Sequence, residues 1–353
     1  MTREQAATAM EQQAHACARM AAGLYADLLV RTAADVRAGG PCATVIRGYE
    51  DTPADAALSL RLLGGVHALT LTGAAPELAR YYPSAGGTYR PTDADACWAA
   101  FRDTVAGSPD TLRQWLRRPP QTNEVGRAHL LLTGLLYALG ELGDRPVRLI
   151  ELGASGGLNL RVDHFRVEAD DFAWGPIDSP VRLPDAWRGA VPGWLRAAAG
   201  TYPEVMVVER LGCDPDPLDP SDPADALALR AYLWPEHTAR AARLAGALEL
   251  AGRLPVRMHA AGAADFLAGV DARPDVLTVI WHSVMRQYVP ADEWQRVSAE
   301  IDRLAGGDAP VAHVSFEPGP VDGSRFQLRV RLGNRPERLL ADAHPHGLPA
   351  WLP

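Results

Sequence analysis

Cysteine is scarce: the chain has four, Cys17, Cys42, Cys97 and Cys213, far apart and without a C-x-x-C pair. That spacing excludes a disulfide framework and a cysteine zinc site, and it fits reduced thiols in a cytosol. Runs of cationic residues are missing too, and the net charge is −8 at a pI near 5.7, so no nucleic-acid partner is expected. No stretch approaches the roughly 20 apolar residues that span a bilayer. Glu4 and Glu11 stand where a secretion signal would be basic and then apolar. These absences predict a soluble, cytoplasmic protein with no membrane partner.

What is present is enough apolar material for a full core: 47% of 353 residues, room for one large domain or a domain with a sizeable extension. Residues 3–38 carry Met20, Leu24 and Leu28 at helical spacing and stop at Gly39-Gly40-Pro41. Helical patterns recur at Leu58–Leu71, Ala94–Val105 and Thr111–Leu116, with no strand-like alternation before residue 140. Residues 1–120 are therefore predicted to be a helical region, and residues 121–353 an α/β domain. Two loops in or beside the helical region stand out. One is Tyr81-Tyr82-Pro83-Ser84-Ala85-Gly86-Gly87; the other is Gln121-Thr122-Asn123-Glu124, ahead of an apolar helix over Val125–Leu139. Thr122 or Asn123 suits a helix cap, and both loops are expected to fold over the next segment as a lid.

That segment, Val147–Asn159, reads V-R-L-I-E-L-G-A-S-G-G-L-N. A short apolar run ends in Glu151, glycines at 153, 156 and 157 make a tight turn, and Leu158-Asn159 opens a helix whose free N–H groups would face an anionic group. A dinucleotide fingerprint from Gly153 would need glycine at Ser155 and Leu158 and fails at both. Further strands are predicted at Val205–Val208, Pro255–Met258, Val276–Ile280 and Val311–Phe316, with an antiparallel pair at Phe326–Leu332 and Glu337–Ala341. Arg161–Arg182 reads as an inserted hairpin and loop. In an open parallel sheet, ligands sit beyond the carboxyl ends of the strands, and Glu151, Asp214, His282 and Glu317 each follow a predicted strand. His282 is the candidate base, because imidazole titrates near neutrality. His344 and His346 have metal-like spacing but no third ligand, and no metal is expected.

The turn is similar to the S-adenosylmethionine loop of class I methyltransferases, acid-x-G-x-G-x-G, matched by Glu151, Gly153 and Gly157 and missed at Ser155. The motifs Y-Y-P-S-A-G-G, T-N-E-V-G-R, E-L-G-A-S-G-G-L-N-L, R-L-G-C-D-P-D-P-L-D-P, W-P-E, H-S-V-M-R-Q-Y-V-P and L-A-D-A-H-P-H-G resemble a bacterial, largely actinobacterial family, domain of unknown function 2332, over most of the chain. That second resemblance supplies no activity. The methyltransferase likeness, over residues 125–341, implies a Rossmann-like, seven-stranded sheet with an antiparallel last hairpin and S-adenosyl-L-methionine as cofactor. Its cofactor contacts would be Glu151, Gly153, Ser155, Gly156, Gly157, Asn159, Asp214, Asp265, His282, Tyr81 and Asn123. Asp214 would take the ribose with Glu209 as rival, and Asp265 the adenine amino group beside Phe266. His282, Tyr82, Glu124 and Tyr288 are the catalytic candidates. The expected reaction is methyl transfer to a small molecule. The alternatives are an intramolecular displacement that releases methylthioadenosine and gives a cyclic amino acid, and a non-catalytic binding protein on the same fold.

Overall fold

A computed structural model describes residues 2–50, 57–319 and 325–353. The chain forms two compact units, Met1–Thr122 with Asp222–Ala241, and Asn123–Ser221 with Ala242–Pro353.

The first unit is helical. The apolar periodicity over 3–38 is carried by two helices, Arg3–Arg19 and Gly23–Ala38, because Ala21 turns left-handed at φ 57° and breaks the hydrogen-bond ladder. Leu24, Leu28, Leu62, Phe101 and Val105 meet in its core with Tyr25 and Tyr82. The stretch 223–251 likewise forms two helices, Pro223–Ala231 and Thr238–Ala251, separated around Trp234-Pro235-Glu236. The residues 222–241 complete the unit's polar pairing. Glu236 accepts the Leu24 N–H at 2.6 Å, at the start of Gly23–Ala38, and His67 Nδ1 lies 2.9 Å from the Ala231 carbonyl oxygen.

The second unit is mixed α/β. Its strands in chain order are β1 (Val147–Leu152), β2 (Arg166–Ala169), β3 (Phe172–Trp174), β4 (Arg182–Leu183), β5 (Val207–Asp214), β6 (Arg257–Ala260), β7 (Leu277–Ser283), β8 (Val311–Pro318), β9 (Phe326–Leu332), β10 (Arg338–Ala343) and β11 (Ala350–Trp351). The large sheet runs β11-β10-β9-β8-β7-β1-β5-β6. The five strands from β8 to β6 are parallel, and β9, β10 and β11 continue as an antiparallel meander. The sheet thus has eight strands rather than seven, β11 being the addition. The insertion after β1 is a small separate sheet, β3-β2-β4.

One strand hides its length. The predicted strand over Val205–Val208 becomes β5, which runs on through Glu209-Arg210-Leu211-Gly212-Cys213 to Asp214. Its polar letters conceal it because each charge is paired: Glu209 with Arg148 of β1 at 2.7 Å, Arg210 with Asp163. The helix Ala128–Leu142, entered through a single turn at Val125–Arg127, packs on one face of the sheet, and Gly134 gives Val314 of β8 its space. The helix Ala291–Ala305 packs on the other, its Val297, Ile301 and Leu304 against Ile150, Leu152 and Ile280. No helix among the described residues is long and apolar enough to cross a membrane.

Candidate functional site

Chain order along the sheet reverses at β1. From β1 the chain builds β5 and β6 to one side, then β7 and β8 to the other. A crevice at the carboxyl ends of the strands beside such a reversal is the usual ligand position in open α/β sheets. Glu151 lies at that end of β1, and its register partner on β7 is Trp281, whose indole N–H donates to Glu151 Oε1 at 3.2 Å.

His282 is the next residue of β7, and successive side chains of a strand point to opposite faces. Its register partner is Leu152, and its ring sits edge-on to Trp294 of the helix Ala291–Ala305. His282 is 1% exposed, with Nδ1 at 2.7 Å from Glu317 Oε1 and Nε2 at 3.0 Å from His313 Nε2. The sequence gathers Glu151 and His282 at one edge, but the pleat puts them on opposite faces. Both ring nitrogens of the expected base are engaged in that second network, with Glu317.

The turn after Glu151 holds three left-handed residues, Gly153 at φ 64°, Ser155 at 53° and Gly157 at 62°. Ser155, the departure from the methyltransferase loop, keeps a backbone conformation that favours glycine. Its N–H donates to Asp214 Oδ2 at 3.0 Å, while Asp214 Oδ1 accepts from the Asp216 N–H at 3.1 Å. Asp214 therefore staples the end of β5 to the turn, whereas Glu209 sits near the start of that strand on Arg148. A Cβ on Gly157 would come within 2.9 Å of Met258 Sδ, so internal packing already explains that glycine. The expected helix at Leu158 is a short 3-10 segment, Leu158–His164. Its first N–H does not face a ligand: Leu158 donates to Asn123 Oδ1 at 2.9 Å.

Around this turn, three buried polar atoms have no partner: Glu151 Oε2, Ser155 Oγ and Asn159 Oδ1. Asn159 Nδ2–H reaches Glu151 Oε1 at 3.4 Å and the Glu124 carbonyl oxygen at 3.5 Å. Burial pushes the Glu151 carboxyl up to about 8, against the hydrogen bonds from Asn159 and Trp281 and the nearby charge of Arg127, which favour its ionised form. Buried polar groups are nearly always satisfied, and these three orphans belong to the end of β1 and the turn that follows it. Beside the turn lies a cleft of about 490 Å³ that Gly156, Arg161, Asp219, Ser221, Arg253 and Met258 help to line.

The segment 344–347 packs against residues 124–129. Glu124, 5% exposed, accepts the Gly126 N–H at 3.1 Å through Oε1, and its Oε2 lies 3.4 Å from His346 Nδ1. Arg127 donates to the Pro345 carbonyl at 3.0 Å, and His129 Nε2 lies 2.7 Å from the Gly347 carbonyl oxygen. Among the other predicted residues, Asp265 is exposed and ion-paired to Arg296, and Tyr288 is 71% exposed. Tyr81 and Tyr82 belong to the helical unit, where Tyr82 is fully buried against Tyr25 and His67. Sequence reading missed Trp281 as the partner of Glu151 and His346 as the partner of Glu124. Two-residue periodicity could have exposed the first; nothing local signals the second. Among the described residues no group of three or more side chains could hold a metal ion.

A family model described as an uncharacterized protein conserved in bacteria (DUF2332) matches residues 7–351. No curated protein and no solved structure matches the chain.

Proposed function

The chain belongs to this bacterial family, and we propose that it is an S-adenosyl-L-methionine-dependent enzyme on a methyltransferase-like α/β unit, transferring the methyl group to a small-molecule acceptor. One observation carries the reading: the unpartnered Glu151 Oε2, Ser155 Oγ and Asn159 Oδ1 at the turn after β1. An amide oxygen and an ionised carboxylate can only accept hydrogen bonds. Their complement is a cationic donor, as is the ammonium at the methionyl end of that cofactor. Glu151 and Asn159 would hold the ammonium, Ser155 would add its hydroxyl, and the cleft beside Gly156 would take the nucleoside. When bound, the cofactor supplies an electrophilic methyl on a sulfonium.

Calorimetry tests this directly. S-adenosylmethionine and its homocysteine product both carry the ammonium, so both should bind wild type. Glu151→Gln removes a charge-assisted hydrogen bond, typically about 1.5–3 kcal/mol, and should weaken both by about tenfold or more. Because the ammonium needs the ionised carboxylate, wild-type affinity should rise with pH, by up to about tenfold per pH unit, and level off near pH 8. If neither ligand binds, or affinity is flat with pH and indifferent to Glu151→Gln, the reading fails.

The raised Glu151 carboxyl also favours a second reaction at the same site. An ammonium must lose a proton before its nitrogen can displace the sulfur within the same molecule, and Glu151 would be the group to take it. Mass spectrometry separates the outcomes. S-adenosylhomocysteine reports methyl transfer, methylthioadenosine reports displacement, and binding without either product reports a non-catalytic protein.

A further inference from the structure

Two sequence motifs with no role so far, T-N-E-V-G-R at 122–127 and H-P-H-G at 344–347, meet backbone to backbone. A Cβ on Gly126 would lie 2.5 Å from the His346 carbonyl oxygen, and one on Gly347 would lie 2.5 Å from the Gly126 carbonyl oxygen. Only two glycines allow this approach, and its effect is to seat the His346 ring against Glu124. The Glu124 side chain is 3% exposed and that of His346 is 23% exposed. Glu124 reaches the Glu151 site through its own carbonyl, which accepts from Asn159, the amide that also donates to Glu151.

We propose that His346, oriented by Glu124, is the acid–base group of the site, a role that rests on the S-adenosylmethionine reading. A buried carboxyl 3.4 Å from an imidazole nitrogen favours the charged form of that ring, as the acid behind a histidine base does. In methyl transfer Glu151 is engaged by the ammonium, and several other competitors drop out. The chain contains no lysine: all 35 of its cationic residues are arginine. All four cysteines are buried, and burial pushes their thiols to about 11 or higher. His282 is on the far face, and His129 is fully buried with Nε2 on the Gly347 carbonyl. In the reaction His346 takes the proton that an acceptor O–H or N–H releases while its heteroatom bonds to the methyl carbon. The carbon–sulfur bond breaks in the same step, and its electron pair stays on sulfur.

The groups around the His346 ring include Glu124, the ring of His344 at 5.3 Å, Arg127 beneath Pro345, and His129 beneath Gly347. Two titrations of the intact protein, followed by NMR of the histidine ring protons, test the proposal. His346 is identified by the resonance missing from His346→Gln. Glu124→Gln should lower its titration midpoint by about one pH unit or more, since an adjacent carboxylate favours imidazolium. Saturating S-adenosylmethionine should lower the wild-type midpoint further than saturating S-adenosylhomocysteine does, because only the former places a positive charge on sulfur. Identical midpoints with the two ligands would overturn the proposal, whatever becomes of the variant. An unchanged midpoint in a folded Glu124→Gln would also overturn it. Calorimetry on the same samples keeps the cases apart: absence of binding defeats the cofactor reading, and equal midpoints with both ligands bound defeat His346 alone.

Discussion

Glu151 is a carboxyl that folding moves out of water without fully compensating it. Its value rises from about 4.5 to about 8, chiefly through burial, so between those two pH values the folded chain binds a proton that the unfolded chain does not. The contribution to stability is whole below about pH 4.5, declines as pH rises through the window, and is gone above about 8. Glu151→Gln removes the titrating group, and urea unfolding at pH 5 and pH 8.5 should show a smaller loss on going to alkali than wild type shows. His282 predicts the opposite pattern. Its ring is one partner of the nearly buried Glu317, which also accepts the Met285 N–H, so His282→Ala removes one hydrogen bond of several and should cost about 1–3 kcal/mol. Under the proposed reading, His282→Ala, being on the far face, should leave S-adenosylhomocysteine affinity within about threefold. A large affinity loss at unchanged stability would return His282 to the site.

At the scale of elements, the sequence is legible where one face or one period dominates. Val147-Arg148-Leu149-Ile150 announces β1 because both faces of that strand are covered, and Gly153 and Gly157 announce the turn because the backbone there is left-handed. The Leu58–Leu71 helix is read to its end residues. The failures have physical causes. β5 is masked by Glu209 and Arg210, whose partners lie elsewhere in the chain, and the helix over 3–38 breaks at Ala21, a residue with no breaker signal. Strand ends can be placed from sequence, but not faces, since a shift of one residue reverses every side chain. That is why Glu151 and His282 could both be placed at strand ends, while the pleat that separates them onto opposite faces stayed out of reach. The meeting of 122–127 with 344–347 was invisible for another reason: it is made of two glycine backbones. Gly347, at φ 89°, has no room for a side chain. Gly347→Ala should therefore lower stability by about 2 kcal/mol or more in thermal unfolding, and it should move the His346 ring resonances. An alanine variant as stable as wild type would show that the contact is loose.

On the scale of the whole molecule, the helical unit is discontinuous, because Asp222–Ala241 belongs to it although it lies between β5 and β6 in the chain. A fragment of residues 1–122 lacks Glu236 for the Leu24 N–H and the Ala231 carbonyl for His67. Its near-ultraviolet circular dichroism should be weak, and supplying 222–241 as a peptide should restore part of it. The same discontinuity sets a schedule on the ribosome. β1 is the first strand of the large sheet to be translated, yet it ends between β5 and β7, and β7 begins only at Leu277. At about 5–20 residues per second, that strand waits on the order of ten seconds for its second neighbour. Until residue 241 has emerged, the helical unit is incomplete as well. The nascent chain therefore spends this interval with an apolar strand edge and an unfinished helical core, and it is during this stretch of translation that a ribosome-bound chaperone would have most to hold.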